Sequence, residues 1–191
     1  GSEMCIRDRF NTGRIMDSNE VVNAFQNDSL GSDDAVGIAN KIKKGELSAS
    51  LVTRDAIERA KAVNPKLNAI TVENFDLAQT NSEKPFIGFF QGVPTFIKDT
   101  DEVPGLPLYL GSRSLPGEPS DKYSKAAKQI IDTGLNCLGT TTTPEFGLTG
   151  TTESLRFGAT CNPWNTTYST GGSSGGLSLI HISEPTRQIV I

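Results

Sequence analysis

The sequence predicts an α/β fold built in layers, a mixed sheet flanked by helices. Three observations carry that expectation. Apolar residues recur at helical spacing in three segments, short apolar runs of strand length stand between them, and turn-forming residues separate the two kinds. At 191 residues the chain has the length of one domain and can bury a core.

Residues 33–44 place Ala35, Ile38, Ala39 and Ile42 on one helical face, with Ser32 or Asp33 as N-cap and Gly45 as the stop. A second helix is expected to begin near Ser48 and to carry Val52, Ala56, Ala60 and Val63 on one face. It should end before Asn64-Pro65, because proline disfavours helical backbone in the residue preceding it. LNAITV, residues 67–72, then reads as a short strand. After a polar loop at 81–85, FIGFFQGVPTFIKD is a second β-like region that ends on the charged pair Lys98-Asp99.

Residues 100–119 hold Pro104, Gly105, Pro107, Pro116, Gly117 and Pro119, too many breakers for a regular element. The third helix is expected over residues 120–133, with Tyr123, Ala127, Ile130 and Ile131 inward and Gly134 as terminator. LNCLG follows as a buried strand. From 139 to 176 the chain is rich in Gly, Ser and Thr, yet Pro144, Glu145, Phe146, Arg156, Pro163 and Trp164 interrupt it. Such residues are foreign to a flexible linker, and the stretch reads as an ordered, loop-rich site region.

Composition narrows the partners. With 36% hydrophobic and 21% charged residues and a net charge of −4, the chain has no Lys/Arg stripe to neutralise phosphates, so no nucleic-acid partner is expected. It lacks a run of about 18 apolar residues and a basic-then-apolar N-terminus, which predicts no membrane association and a cytoplasmic location. Cys5, Cys137 and Cys161 are widely spaced and odd in number, and there is one histidine. No disulfide framework, metal site or cofactor is expected. That histidine, His181, lies in the closing LSLIHISEPTRQIVI and reads as an incidental tail residue, which sets aside a histidine-served nucleophile.

Lys98 follows the apolar Phe96-Ile97. A lysine at the end of a buried strand is desolvated, which disfavours its charged form and opens a role as general base. The alternative is a structural lysine, snorkelling or paired with Asp99. In STGGSSGG, residues 169–176, glycines on both sides of Ser173 and Ser174 let a substrate approach the main chain closely. The two hydroxyls could relay protons and the amides could bind an anion. The chain has no G-x-G-x-x-G and no G-K-[ST], so dinucleotide and P-loop readings fail.

Taken together, these residues resemble the amidase signature family. The matching pieces are Gly92-Val93-Pro94 with Lys98-Asp99, Gly111-Ser112, the helix ending at Gly134, Pro144-Glu145-Phe146, Asn162-Pro163-Trp164, and the Gly171–Gly176 loop. They stand in the family's order, with Lys98 and Ser173 75 residues apart. The resemblance implies an amide hydrolase with a Ser–cis-Ser–Lys triad acting on a small-molecule amide without a cofactor. It makes Lys98 the neutral base, Ser173 the bridging serine after a cis peptide bond, and Ser174 a supporting hydroxyl. Pro144-Glu145 replaces the Asp-Glu typical of the A-type subunit of tRNA-dependent amidotransferases, which favours a stand-alone amidase. A non-catalytic anion- or carboxylate-binding module is the remaining alternative.

The resemblance also places the nucleophilic serine a couple of dozen residues beyond the bridging one, in a Gly-Gly-Ser segment that supplies oxyanion-hole amides. The chain stops at Ile191, so the expectation is a truncated N-terminal fragment, inactive by itself, with its layered fold incomplete. EMCIRDR near the start and LSLIHISEPTR near the end look like translated adapter sequence. Residues 1–15 and 177–191 are therefore expected to be foreign, and residues 16–176 to be the N-terminal portion of one amidase domain.

Overall fold

The computed structural model describes residues 21–178. The expectations for residues 1–15, for His181 and for all but the first two residues of 177–191 lie outside them. Among the described residues four α-helices, a mixed three-stranded sheet and two two-stranded hairpins form an α/β unit.

Helix α1 (Ala35–Lys43) is capped by Asp34, whose carboxylate accepts the Gly37 N–H at 2.7 Å. The cap is one residue later than expected because Asp33 is taken by an ion pair with Lys41. Ala35, Ile38 and Ala39 are buried, as the periodicity requires. Helix α2 (Ala49–Leu67) begins after the Ser48 cap and buries Val52, Ala56, Ala60 and Val63. It does not stop before Asn64-Pro65. Pro65 sits in the last turn and forgoes one intrahelical hydrogen bond, a cost offset because the fully buried Leu67 holds that turn to the core. The true stop is Asn68, left-handed at φ 54°, which donates its N–H to the Asn64 carbonyl at 2.8 Å. The Asn64 carboxamide accepts the N–H groups of Ala69 and Ile70, which turns the chain into β1 (Ile70–Glu73).

Helix α3 (Phe75–Asn81) has no counterpart among the expected elements; at seven residues, without a side-chain cap and with only Phe75 and Ala78 buried, it has almost no periodic signal. The second β-like region forms a strand only over β2 (Pro94–Lys98), four of whose residues are buried. Helix α4 (Lys125–Asp132) is shorter than 120–133 because Ser124 provides the cap, accepting the Ala127 N–H while donating its hydroxyl to Asp101. Ala127 is buried, Ile130 and Ile131 are half-buried, and Tyr123 lies ahead of the helix and is exposed.

Strand β3 (Asn136–Thr141) is buried along its whole length and lies between the other two, antiparallel to β1 and parallel to β2. The main core collects α1, α2, β1, α3 and β3 around Ile38, Val52, Leu67, Phe75 and Leu138. A smaller cluster of Ile97, Val103, Leu106, Ala127 and Cys137 fills the α4 side of the sheet. Beyond β3 the chain makes two small hairpins, β4 (Glu153–Ser154) with β5 (Gly158–Ala159) and β6 (Cys161–Asn162) with β7 (Asn165–Ser169).

Candidate active site

The parallel pairing of β2 with β3 builds the site. Lys98, the last residue of β2, stands in register with Thr141, the last residue of β3. Their extensions stay together: the Asp99 N–H donates to the Thr141 carbonyl at 3.0 Å. Beyond β3, Thr142 and Thr143 receive the glycine-serine loop. The Gly176 N–H donates to the Thr142 carbonyl at 3.3 Å, and the Thr143 hydroxyl donates to the Ser173 carbonyl at 3.1 Å. The hairpin region holds the other end, with Gly172 N–H on the Gly150 carbonyl at 2.8 Å and the Thr152 hydroxyl on the Gly171 carbonyl at 3.0 Å. A side chain at position 176 would stand 2.6 Å from both the Ala69 carbonyl and the Thr142 amide, so the close approach itself requires glycine.

This stitching places the Lys98 Nζ 2.7 Å from the Ser173 Oγ. The Gly172–Ser173 peptide bond is cis. Ser173 and Ser174 line a cavity of about 490 Å³, and the Ser174 carbonyl accepts the Ser178 N–H at 2.8 Å, which starts a helical turn over residues 175–178. Burial pushes the Lys98 amine below the ordinary lysine value, while the carboxylate of Asp101 pulls it back up.

The expected alternative partner of Lys98 turns elsewhere. The Asp99 carboxylate is fully buried and accepts the Tyr109 N–H at 3.1 Å and the Gly111 N–H at 3.3 Å. Arg156 stacks over the Tyr109 ring at 3.9 Å and donates to the carbonyls of Ser112 and Leu115, both at 3.0 Å. The Ser112 hydroxyl donates to Glu145, so two of the motifs noted in the sequence meet across a gap of 33 residues. Asn162-Pro163-Trp164 instead makes the turn between β6 and β7, where the Pro163 carbonyl accepts the Val22 N–H at 2.7 Å. Among the described residues no cluster of His, Cys, Asp and Glu could hold a metal ion.

Sequence reasoning assigns no role to Thr143 or Thr152 and gives Asp99 only a pairing with its neighbour, although each of the three fastens a loop of the site. The threonines look like low complexity in one dimension. In three they are a buried hydroxyl lattice, in which Thr142 and Thr160 meet at 2.7 Å. The available signal is that Thr140–Thr143 continues a strand whose burial the sequence predicts.

Burial raises Asp99 from 3.8 to about 6, against the opposing pull of the Tyr109 and Gly111 amides and the Arg156 charge. The folded value lies above the unfolded one, so the group favours folding when protonated. That contribution is complete below pH ~4 and is lost as pH rises through ~6. Its size is about 3 kcal/mol. Urea unfolding at a series of pH values is expected to show this fall between about pH 4 and pH 7, and Asp99→Asn to remove it. Equal slopes in the two proteins would refute the assignment.

A profile described as Amidase matches residues 51–179. The chain belongs to the amidase signature family, hydrolases acting on carbon–nitrogen bonds. It is 41% identical over 155 residues to a Mycobacterium leprae protein named "Putative amidase AmiC", covering 81% of this chain and 33% of that one. It is 36% identical over 146 residues to the 6-aminohexanoate-cyclic-dimer hydrolase of Paenarthrobacter ureafaciens, covering 75% and 29%. The A-type glutamyl-tRNA(Gln) amidotransferase subunit of Acidothermus cellulolyticus is 35% identical over 150 residues, covering 74% and 30%. A solved structure of 6-aminohexanoate cyclic dimer hydrolase complexed with substrate superposes with a TM-score of 0.75 at 34% identity, over 80% of this chain and 32% of that one. The chain spans about a third of the length of the curated relatives it matches.

Proposed function

We propose that this chain carries the base and the bridging serine of a stand-alone amide hydrolase that cleaves a small-molecule carboxylic amide to acid and amine. The observation that carries the reading is the 2.7 Å hydrogen bond between Lys98 and Ser173. In the proposed mechanism neutral Lys98 takes the Ser173 proton, and Ser173 takes that of a second serine, which the family places beyond the glycine-serine loop. That serine attacks the amide carbonyl, the amine leaves with a proton returned through Ser173, and water then releases the acid from the acyl-enzyme. Ser174 is proposed as a supporting hydroxyl, and the natural domain as starting near Met16 and extending through the loop ending at Gly176.

The test is a full-length parent carrying residues 16–176 unchanged, offered a panel of aliphatic, aryl and cyclic amides. Equimolar acid and amine from at least one, lost in Ser173→Ala, is the expected result; the 191-residue chain alone is expected to release neither. A folded parent that cleaves none of them, or that transfers ammonia from glutamine only alongside partner chains, would sink the stand-alone reading.

A further inference from the structure

Lys98 closes β2 in register with Thr141, and bonds on either side of it tie the two strands: the Asp99 N–H donates to the Thr141 carbonyl, and the Thr141 hydroxyl donates to the Ile97 carbonyl at 3.4 Å. The backbone that carries the amine is therefore fixed relative to β3. Two residues beyond Thr141, Thr143 is fully buried and donates its hydroxyl to the Ser173 carbonyl at 3.1 Å. A buried hydroxyl that lost this acceptor would have no water to turn to, and a β-branched side chain has few rotamers, so the direction of the bond is set. The other attachments of the loop act on neighbouring residues, the Gly150 carbonyl on Gly172, the Thr152 hydroxyl on Gly171 and the Thr142 carbonyl on Gly176. Thr143 acts on Ser173 itself. The lysine and the serine it touches are thus both referred to one strand, the serine through a single side-chain hydroxyl.

We propose that Thr143 is a positioning residue of the lysine–serine pair, its hydroxyl holding the Ser173 main chain where Oγ meets the Lys98 Nζ. This rests on the roles proposed above for Lys98 and Ser173, and adds to them the group that sets their separation. Thr143 takes no proton and touches no reacting atom. By fixing the Ser173 carbonyl it fixes the direction in which the side chain leaves the backbone, and a proton passes between Oγ and Nζ only at hydrogen-bond range, 2.7 Å here. Without the hydroxyl the carbonyl is free to turn and Oγ leaves Nζ; a misplacement of about 1 Å costs on the order of 10²-fold in rate. Valine has the shape of threonine without the donor, whereas serine keeps the donor and loses a methyl group. Thr160 supplies the control. It is fully buried among the same threonines, and its hydroxyl bonds Thr142 and the Asn68 carbonyl rather than the serine.

The experiment has two readouts. In the 191-residue chain, nuclear Overhauser spectroscopy is expected to show a cross-peak between the Lys98 ε-protons and the Ser173 β-protons that persists in Thr143→Ser and Thr160→Val and is lost in Thr143→Val and Thr143→Ala, each variant checked for folding by near-UV circular dichroism. In the full-length parent, Thr143→Val should lower kcat for the amide by about 10²-fold with KM little changed, and Thr143→Ser should restore most of it. A cross-peak absent from the wild-type chain, retained in folded Thr143→Val or Thr143→Ala, or lost in folded Thr143→Ser would overturn the proposal, as would an equal fall of kcat in Thr160→Val or a loss carried by KM. Parent turnover that needs Ser173 but is indifferent to Thr143→Val would remove this inference alone. A cross-peak that follows the hydroxyl in a parent that cleaves no amide would remove the amidase reading and leave the positioning of Ser173 by Thr143 standing.

Discussion

Replacing Arg59 with methionine is expected to lower the free energy of unfolding by about 3–5 kcal/mol, the cost of leaving a buried charge without its partner. Arg59 lies on the inward face of α2 and is fully buried. Its Nε donates to Asp28 at 2.6 Å, and its Nη2 donates to the same carboxylate and to the Gly31 carbonyl at 3.2 Å. Asp28 in turn accepts the N–H groups of Leu30 and Gly31, at 3.1 and 3.2 Å. The pair therefore fastens the segment ahead of α1 to α2. Two further bonds run along that segment, from the Ser29 N–H to Asp55 at 3.0 Å and from the Val22 N–H to the β6–β7 turn. Urea denaturation monitored by circular dichroism measures the loss. A double variant with Asp28→Asn is expected to cost less than the sum of the singles, because the uncompensated carboxylate is then gone. A loss below about 1 kcal/mol in Arg59→Met would mean that the guanidinium is no anchor.

Neither Asp28 nor Arg59 stands out in the sequence, and the reason is general. Periodicity reports which face of an element is buried, and α1 and α2 show theirs plainly in Ile38, Val52, Ala56 and Val63. It cannot report pairings made across 31 residues, or a helix end decided by whether Leu67 finds a core. Pro65 is a local signal, and tertiary burial overrides it. α3 is too short to be periodic, and the hairpins after β3 are too short to alternate. The site is more legible. Lys98 follows an apolar run and the glycine-serine loop is unmistakable, so the two can be named, though their contact depends on a β2–β3 register that neither segment reveals. Adjacency in the sequence suggests Asp99 as a partner of Lys98, yet consecutive residues of a strand point to opposite faces. That alternation sends Lys98 toward Ser173 and Asp99 toward the 109–111 loop.

If Lys98 is the base, Lys98→Ala in the full-length parent should reduce kcat/KM for its amide by about 10³-fold, equivalent to about 4 kcal/mol of barrier. The loss should fall on kcat, because Lys98 touches Ser173 and a base acts only as the proton moves. The pH profile separates this role from a structural one. A lysine works as a base only when neutral, so activity should rise with pH to a plateau, with its midpoint below the ordinary lysine value because burial disfavours the ammonium. Asp101 opposes that shift, its carboxylate held by the hydroxyls of Ser124 at 2.6 Å and Thr100 at 3.2 Å. Asp101→Asn removes the charge that favours the ammonium, so the acid limb should move to lower pH while the plateau persists. A limb that stays in place, or moves upward, would show that the titrating group governing the rate is not Lys98.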